Sequence, residues 1–369
     1  METMASAAAN AALDGGALGG TVMSVQANYY WVQLDQVNTA LPQPVSSLLC
    51  TRRARLKKVG QQVMVGDRVQ VEEPDWEGQR GAIAAVQPRR TQLDRPPVAN
   101  ADQILLVFAL AEPDLDPHQL TRFLVKAELT GLDVCLCLNK RDLVTAEQQR
   151  SWATRLTAWG YPPVMISVQE DEAFPALTTV LQDRITVVSG PSGVGKSSLI
   201  NCLIPAVDLR VNTVSGKLGR GRHTTRHVEL FELPHGGLLA DTPGFNQPDI
   251  ACGTAALGAC FPEIRDRLQK AQCQFTDCLH RGEPGCAIAP DWERYPLYRD
   301  LLETCENQTQ SLHDSTDPDA AFKVKVTESG QIQQEPRLEP KKYRRISRRS
   351  RKQSLQELRY ELTDHLDNL

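Results

Sequence analysis

No stretch of this 369-residue chain is apolar for the length that a membrane-spanning helix requires, so a helical integral membrane protein is excluded. Residues 1–20 contain neither Lys nor Arg, so they match neither a secretory signal nor an Arg-rich transit peptide. This Ala/Gly-rich stretch reads as a disordered extension, and the missing address features point to the cytoplasm. Charge of one sign is also lacking overall: 41 Lys and Arg stand against 45 Asp and Glu, a net of −4. That average conceals residues 341–352, KKYRRISRRSRK, which hold basic residues and no acid. A basic tail on an acidic body suits a polyanion partner such as RNA.

What is present is an ordinary globular composition, 41% hydrophobic and 23% charged, with length for two or three domains. Residues 21–93 carry short β-rich runs: Thr21–Leu34, the Val63–Val71 stretch read as strand, Gly-Asp turn and strand, and Ala82–Val86. They predict a small Greek-key barrel, an OB-fold first and an SH3-like barrel second. Arg52, Arg53, Arg55, Lys57, Lys58, Arg89 and Arg90 would give it a basic face for nucleic acid. Residues 94–250 alternate apolar strands with amphipathic helices, predicting a mostly parallel α/β sheet covered on both faces. One helix is expected over Asp116–Thr130 and another over Thr145–Trp159, the latter opened by a capping box. Residues 251–306 have short helical patterns around a loop-rich centre. Residues 307–369 read as a polar linker, the basic tail and a terminal helix from Gln353.

The chemistry gathers around Gly190-Pro191-Ser192-Gly193-Val194-Gly195-Lys196-Ser197, followed by Ser198. This G-x-x-x-x-G-K-S follows a β-branched run and precedes a helical stretch, the context of a phosphate-binding loop. Glycines let backbone N–H groups face a phosphate, and the helix N-terminus adds positive partial charge. Lys196 would reach the β- and γ-phosphates, and the Ser197 hydroxyl would bind Mg²⁺. Asn139-Lys140-Arg141-Asp142 ends another strand. Such a tetrapeptide suits guanine, whose N1–H and exocyclic amine both donate to the Asp carboxylate while the Lys stem lies along the base. Ser167, at the next strand end, would line the base pocket mainly through its backbone. Asp241-Thr242-Pro243-Gly244 would supply Asp241 to the Mg²⁺ shell and the Gly244 N–H to the γ-phosphate. Thr224 or Thr225, in a Gly-rich basic stretch read as a switch, would complete that shell.

These motifs stand in a permuted order, with N-K-R-D before the phosphate loop and D-T-P-G last. Circular permutation is tolerated where termini lie close together. The residue after Gly244 is Phe245, where Ras-like enzymes place a Gln that orients the attacking water. Hydrolysis is therefore expected to be slow unless another group assists, and His223 is the candidate catalytic residue. Finally, Cys273-x4-Cys278-x-His280-x5-Cys286 supplies three thiolates and an imidazole, a closed tetrahedral set for structural Zn²⁺.

N-K-R-D, G-P-S-G-V-G-K-S-S, G-R-H-T-T, D-T-P-G-F and C-x4-C-x-H-x5-C in this order resemble the ribosome small subunit-dependent GTPase A family over about residues 21–305. The resemblance implies an OB-fold, a permuted GTPase and a zinc domain acting in late maturation of the bacterial 30S subunit. It also implies GTP hydrolysis stimulated by that subunit and contacts with 16S ribosomal RNA. A monomer binding GTP or GDP is expected. Two rival readings differ in class: a nucleotide-gated RNA scaffold in which hydrolysis hardly matters, and a P-loop ATPase or kinase with a misleading N-K-R-D.

Overall fold

The computed structural model describes residues 18–39, 44–94, 96–170, 174–205, 228–241, 250, 252–314, 322–326 and 332–336. The expected switch residues His223, Thr224 and Thr225, together with Gly244, Phe245, the basic tail and the terminal helix, lie outside them.

Alternating apolar residues near the N-terminus form β1 (Leu18–Gln26), β2 (Tyr29–Asn38), β3 (Val45–Arg52), β4 (Arg68–Asp75) and β5 (Arg80–Val86), with a short helix α1 (Ala54–Lys58) after β3. Strand order is β1-β2-β3-β5-β4, and β4 pairs back to β1, so the sheet closes. Closure removes exposed edges and turns every second side chain inward. Val22, Val32, Leu48, Cys50, Val69, Val71 and Ile83 fill the interior with no exposed surface. This is a five-stranded OB-type barrel.

Two details differ from the sequence reading. The Thr21–Leu34 run is two antiparallel strands, turning at Ala27 in the left-handed region (φ 53°). Gly66-Asp67 is not a hairpin turn between two strands. The fully buried Asp67 carboxylate accepts from the Met64 N–H (2.7 Å) and from Arg89 Nε (2.7 Å), so a tertiary ion pair sets this bend. Arg89 is therefore spent inside the fold. Arg53 pairs with Glu72 and Glu73, and Arg90 with Asp102, so the expected basic face is partly neutralised.

A small hairpin, β6 (Gln92–Asp94) with β7 (Pro97–Ala99), leads into the α/β region, so the expected boundary at residue 93 falls within its first strand. There β8 (Gln103–Ala109), α2 (Pro117–Glu128), β9 (Asp133–Asn139), α3 (Ala146–Ala158), β10 (Val164–Met165), α4 (Pro175–Leu181), β11 (Ile185–Ser189), α5 (Lys196–Leu203), β12 (Glu229–Glu232) and β13 (Leu238–Asp241) follow in order. The sheet order is β10-β9-β8-β11-β13-β12, parallel except for β12. Alternate residues of β8 enter two cores: Ile104, Leu106 and Phe108 on one face, Leu105, Val107 and Ala109 on the other. Asp116 caps α2 through its carboxylate, and Thr145 and Gln148 form the expected capping box of α3. Strand β12 also meets β1 at Ser24 and Glu229, so sheet and barrel share one hydrogen-bonded network.

Beyond the sheet lie α6 (Thr254–Ala259), α7 (Pro262–Leu268) and α8 (Tyr295–Asp314). Helix α8 enters the stretch read as a linker, which also holds a two-stranded ribbon, β14 (Phe322–Val326) with β15 (Ile332–Pro336). No helix among the described residues is long and apolar enough to cross a membrane.

Candidate nucleotide site and metal cluster

The parallel strands carry the motif residues to one edge. Asn139 ends β9, Gly190 follows β11, and Asp241 ends β13, each at a C-terminal strand end where open α/β sheets place ligands. The loop between β11 and α5 needs its glycines. Gly190 has φ 143°, and a Cβ there would stand 2.0 Å from the Val107 carbonyl oxygen. Gly195 has φ 93°, and its Cβ would stand 2.4 Å from Asn139 Nδ2. No side chain fits either approach. The loop thus turns against β8 and β9 and delivers Lys196 and Ser197 as the first residues of α5. Lys196 Nζ donates to the carbonyls of Gly190 (2.9 Å) and Pro191 (2.6 Å), holding its charge over the loop.

Asn139 ties three segments together. Its Nδ2 donates to the Val194 carbonyl (2.9 Å), and its Oδ1 accepts from the Val168 N–H (3.3 Å). The residue is 2% exposed, so both bonds are shielded from water. Lys140 adopts a left-handed conformation (φ 61°) and its ammonium donates to the Glu112 carbonyl oxygen. That turn leads into the 3₁₀ turn Arg141–Leu143, which presents Asp142. Asp142 Oδ1 is shielded from solvent yet accepts no hydrogen bond among the described residues. A shielded carboxylate oxygen without a donor is costly, and a ligand N–H would satisfy it. The Ser167 hydroxyl accepts from the N–H groups of Gln169 (3.3 Å) and Glu170 (3.1 Å), so it fixes its own turn. Val168 and Glu112 were not singled out from sequence. Both act through backbone atoms, which leave no residue-type signal.

The expected zinc set converges. Cys273, Cys278 and Cys286 Sγ each lie 3.6 Å from His280 Nδ1, and all four ligand atoms lie within 4.8 Å of one another. A tetrahedron with metal–sulfur bonds of about 2.3 Å and a metal–nitrogen bond of about 2.0–2.1 Å has a sulfur–nitrogen edge of about 3.6 Å. The three sulfur–nitrogen distances therefore match the edges that a tetrahedral ion would set. His280 reaches this position in a left-handed conformation (φ 56°), its ring packed against Gly258 of α6. Burial pulls its pKa below the ordinary imidazole value, which favours the neutral form a metal needs. The N–H groups of Ala287 and Ile288 point at Cys273 and Cys286 Sγ, both at 3.4 Å. Glu283, missed in the sequence, accepts from the N–H groups of Leu279 (3.0 Å) and Arg281 (2.6 Å) and shapes the ligand loop. An acid just before the turn-forming Pro284-Gly285 was the available cue.

The metal segment packs against the C-terminal end of α3 through a buried cation. Arg294 is 0% exposed, forks onto Glu263 (2.7 and 2.5 Å), and lies over the rings of Trp159, Tyr161 and Phe261. Arg265 pairs with Glu128 (2.6 Å), which also accepts from the Tyr161 hydroxyl (2.7 Å).

Residues 86–251 match the family model described as RsgA GTPase. The small ribosomal subunit biogenesis GTPase RsgA of Trichormus variabilis is 60% identical over 359 residues, spanning 93% of this chain and 97% of the relative. The chain belongs to the RsgA GTPase family. Its Synechocystis relative of the same name is 56% identical over 366 residues, covering 95% and 97% of the two chains. Family structures agree in architecture. YjeQ from Thermotoga maritima superposes with a TM-score of 0.65 at 30% identity, covering 79% of this chain and 99% of that one. YloQ, titled a circularly permuted GTPase, gives a TM-score of 0.65 at 28% identity, covering 81% and 99%. The permuted motif order of this family member is thus found with the matching fold.

Proposed function

We propose that this family member, a GTP hydrolase, acts in late maturation of the small (30S) ribosomal subunit, binds 16S rRNA, is stimulated by the subunit and leaves after hydrolysis. The observation that carries the nucleotide reading is Asn139, whose side chain joins the N-K-R-D turn, the phosphate loop and the Ser167 segment. The shielded, unpartnered Asp142 Oδ1 supports guanine as the base, since N1–H and the exocyclic amine supply the missing donors.

In this reading, the loop N–H groups from Gly190 to Ser198 face the β-phosphate. Lys196 exchanges its carbonyl partners for phosphate oxygens, and its charge answers the negative charge of the transition state. Ser197, Asp241 and one of Thr224 and Thr225 would hold Mg²⁺, which would supply positive charge to the nucleotide phosphates. The Gly244 N–H would meet the γ-phosphate. With Phe245 unable to orient water, His223 takes that role once rRNA contact brings it into place. The barrel expected over residues 21–93, which β1 extends back to Leu18 into the stretch read as a disordered extension, binds RNA; residues 94–250 are the GTPase, and residues 251–306 a domain held by one structural Zn²⁺. The protein works in the cytoplasm as a monomer.

The deciding experiment is GTP turnover with and without purified 30S subunits, with ATP as control. Stimulation confined to GTP is the expected result. Equal turnover of ATP, or no response to the subunit, would overturn the reading.

A further inference from the structure

Outside the metal cluster, two thiols touch. Cys252 Sγ and Cys305 Sγ lie 3.6 Å apart, and their residues are 4% and 1% exposed. A disulfide needs its sulfurs at about 2.05 Å, so the two must close by about 1.5 Å. They also occupy an informative place in the chain. Cys252 precedes α6, Cys305 sits on α8, and all four cluster residues lie between them in sequence. A bond joining the pair would close one loop around the entire metal-binding segment.

We propose that Cys252 and Cys305 are an oxidant-responsive dithiol whose disulfide staples the two ends of the metal-binding segment. Hydrogen peroxide is a suitable oxidant class, being small, neutral and able to reach buried sulfur during brief opening. One cysteine takes an oxygen atom from the peroxide, forming a sulfenic acid and releasing water. The second thiol attacks that sulfur, the S–S bond forms, and a second water leaves. Two thiols and one peroxide become one disulfide and two waters, and the two electrons lost by sulfur reduce the peroxide. Burial makes closure slower than oxidation of the exposed Cys202. Once closed, the bond restricts the unfolded segment, so the segment holds together with less help from metal.

The test uses the full chain, loaded with zinc, reduced, and then exposed to hydrogen peroxide. Remaining thiols are alkylated, and peptides are mapped by mass spectrometry without reduction. The expected result is a cross-linked pair bearing Cys252 and Cys305, two hydrogens lighter than the separate peptides and reversed by dithiothreitol. A second readout is helical circular dichroism on heating with a chelator. The oxidised chain should melt several degrees higher than the reduced chain, and Cys305→Ser should abolish the difference. Recovery of both cysteines alkylated after the cluster thiols have oxidised, or a bridge from either one to another cysteine, would overturn the proposal. The mapping needs only the unmodified sequence, so a folding defect in the variant leaves it decisive.

Discussion

The side-chain amide of Asn139 donates to the carbonyl of Val194, 2.9 Å away, across a gap of 55 positions in the chain. One residue of the N-K-R-D turn thereby holds the Gly190–Ser197 loop in register with the strand beside it. Replacing Asn139 with Ala leaves the Val194 carbonyl and the Val168 N–H without that partner. Loss of buried hydrogen bonds of this kind costs about 1–3 kcal/mol. GTP affinity in an equilibrium titration should fall at least about tenfold, alongside a lower denaturation midpoint, because each 1.4 kcal/mol is a tenfold change.

Gly190 offers a steric test of the same loop. Gly190→Ala places a methyl 2.0 Å from the Val107 carbonyl oxygen at φ 143°, so the loop must move. A conformation that L side chains avoid costs on the order of 1–3 kcal/mol before the clash is counted. Nucleotide binding measured by calorimetry should be lost, while Gly131→Ala, which meets open space at φ 71°, should leave it intact despite some strain.

Asp142→Asn puts an amide donor where guanine presents donors of its own. GTP binding should weaken by about 100-fold or more, the scale on which polar mismatches in a buried site discriminate. Xanthosine triphosphate, with a carbonyl oxygen at the position of the guanine amine, should recover part of the loss. Competition between the two nucleotides reads this directly. Unchanged GTP preference would favour the ATPase or kinase alternative.

How much of this was legible beforehand depends on the range of the interaction that fixes each part. The cap at Thr145, the glycines of the phosphate loop and the spacing of the Cys and His ligands are local signals, and the corresponding elements formed as expected. Gly66-Asp67 was misread because its geometry depends on Arg89, 22 positions later. The linker reading failed at α8 and at β14–β15, where polar composition masked regular structure. Arg294 was invisible. A charge enclosed by Trp159, Tyr161 and Phe261 looks, in sequence, like any surface arginine.

That enclosed charge can be tested by truncation. Arg294→Met strands Glu263, whose side chain is 10% exposed, without its guanidinium. Breaking a buried pair from one side costs about 3–5 kcal/mol. Pairing the change with Glu263→Leu should restore much of the loss in a urea denaturation series, because the uncompensated carboxylate is gone.

Metal removal should act on the segment that depends on it. Chelation removes the ion, and Cys286→Ser removes one of its four donors, the sulfur 3.6 Å from the His280 Nδ1 donor. Helical circular dichroism should fall and protease cleavage should begin between Cys273 and Cys286, while GTP binding by the remaining sheet persists. Zinc content measured by atomic absorption should approach one per chain in the untreated protein and near zero in the variant.

The pairing of Ser24 with Glu229 is a single rung between two large bodies of sheet. It is backed by a shared core, in which Met23 and Val65 on the barrel side join Ile104, Leu106 and Leu230 of the sheet. Strand β13 ends at Asp241, β12 lies beside it, and β12 reaches the barrel at that rung. A tilt of β13 is passed to β12 through four matched residue pairs, and from there to the barrel through that rung and the shared core. The barrel would then move with the end of β13 as one packed body, carrying a displacement beside the candidate nucleotide site through to its far surface.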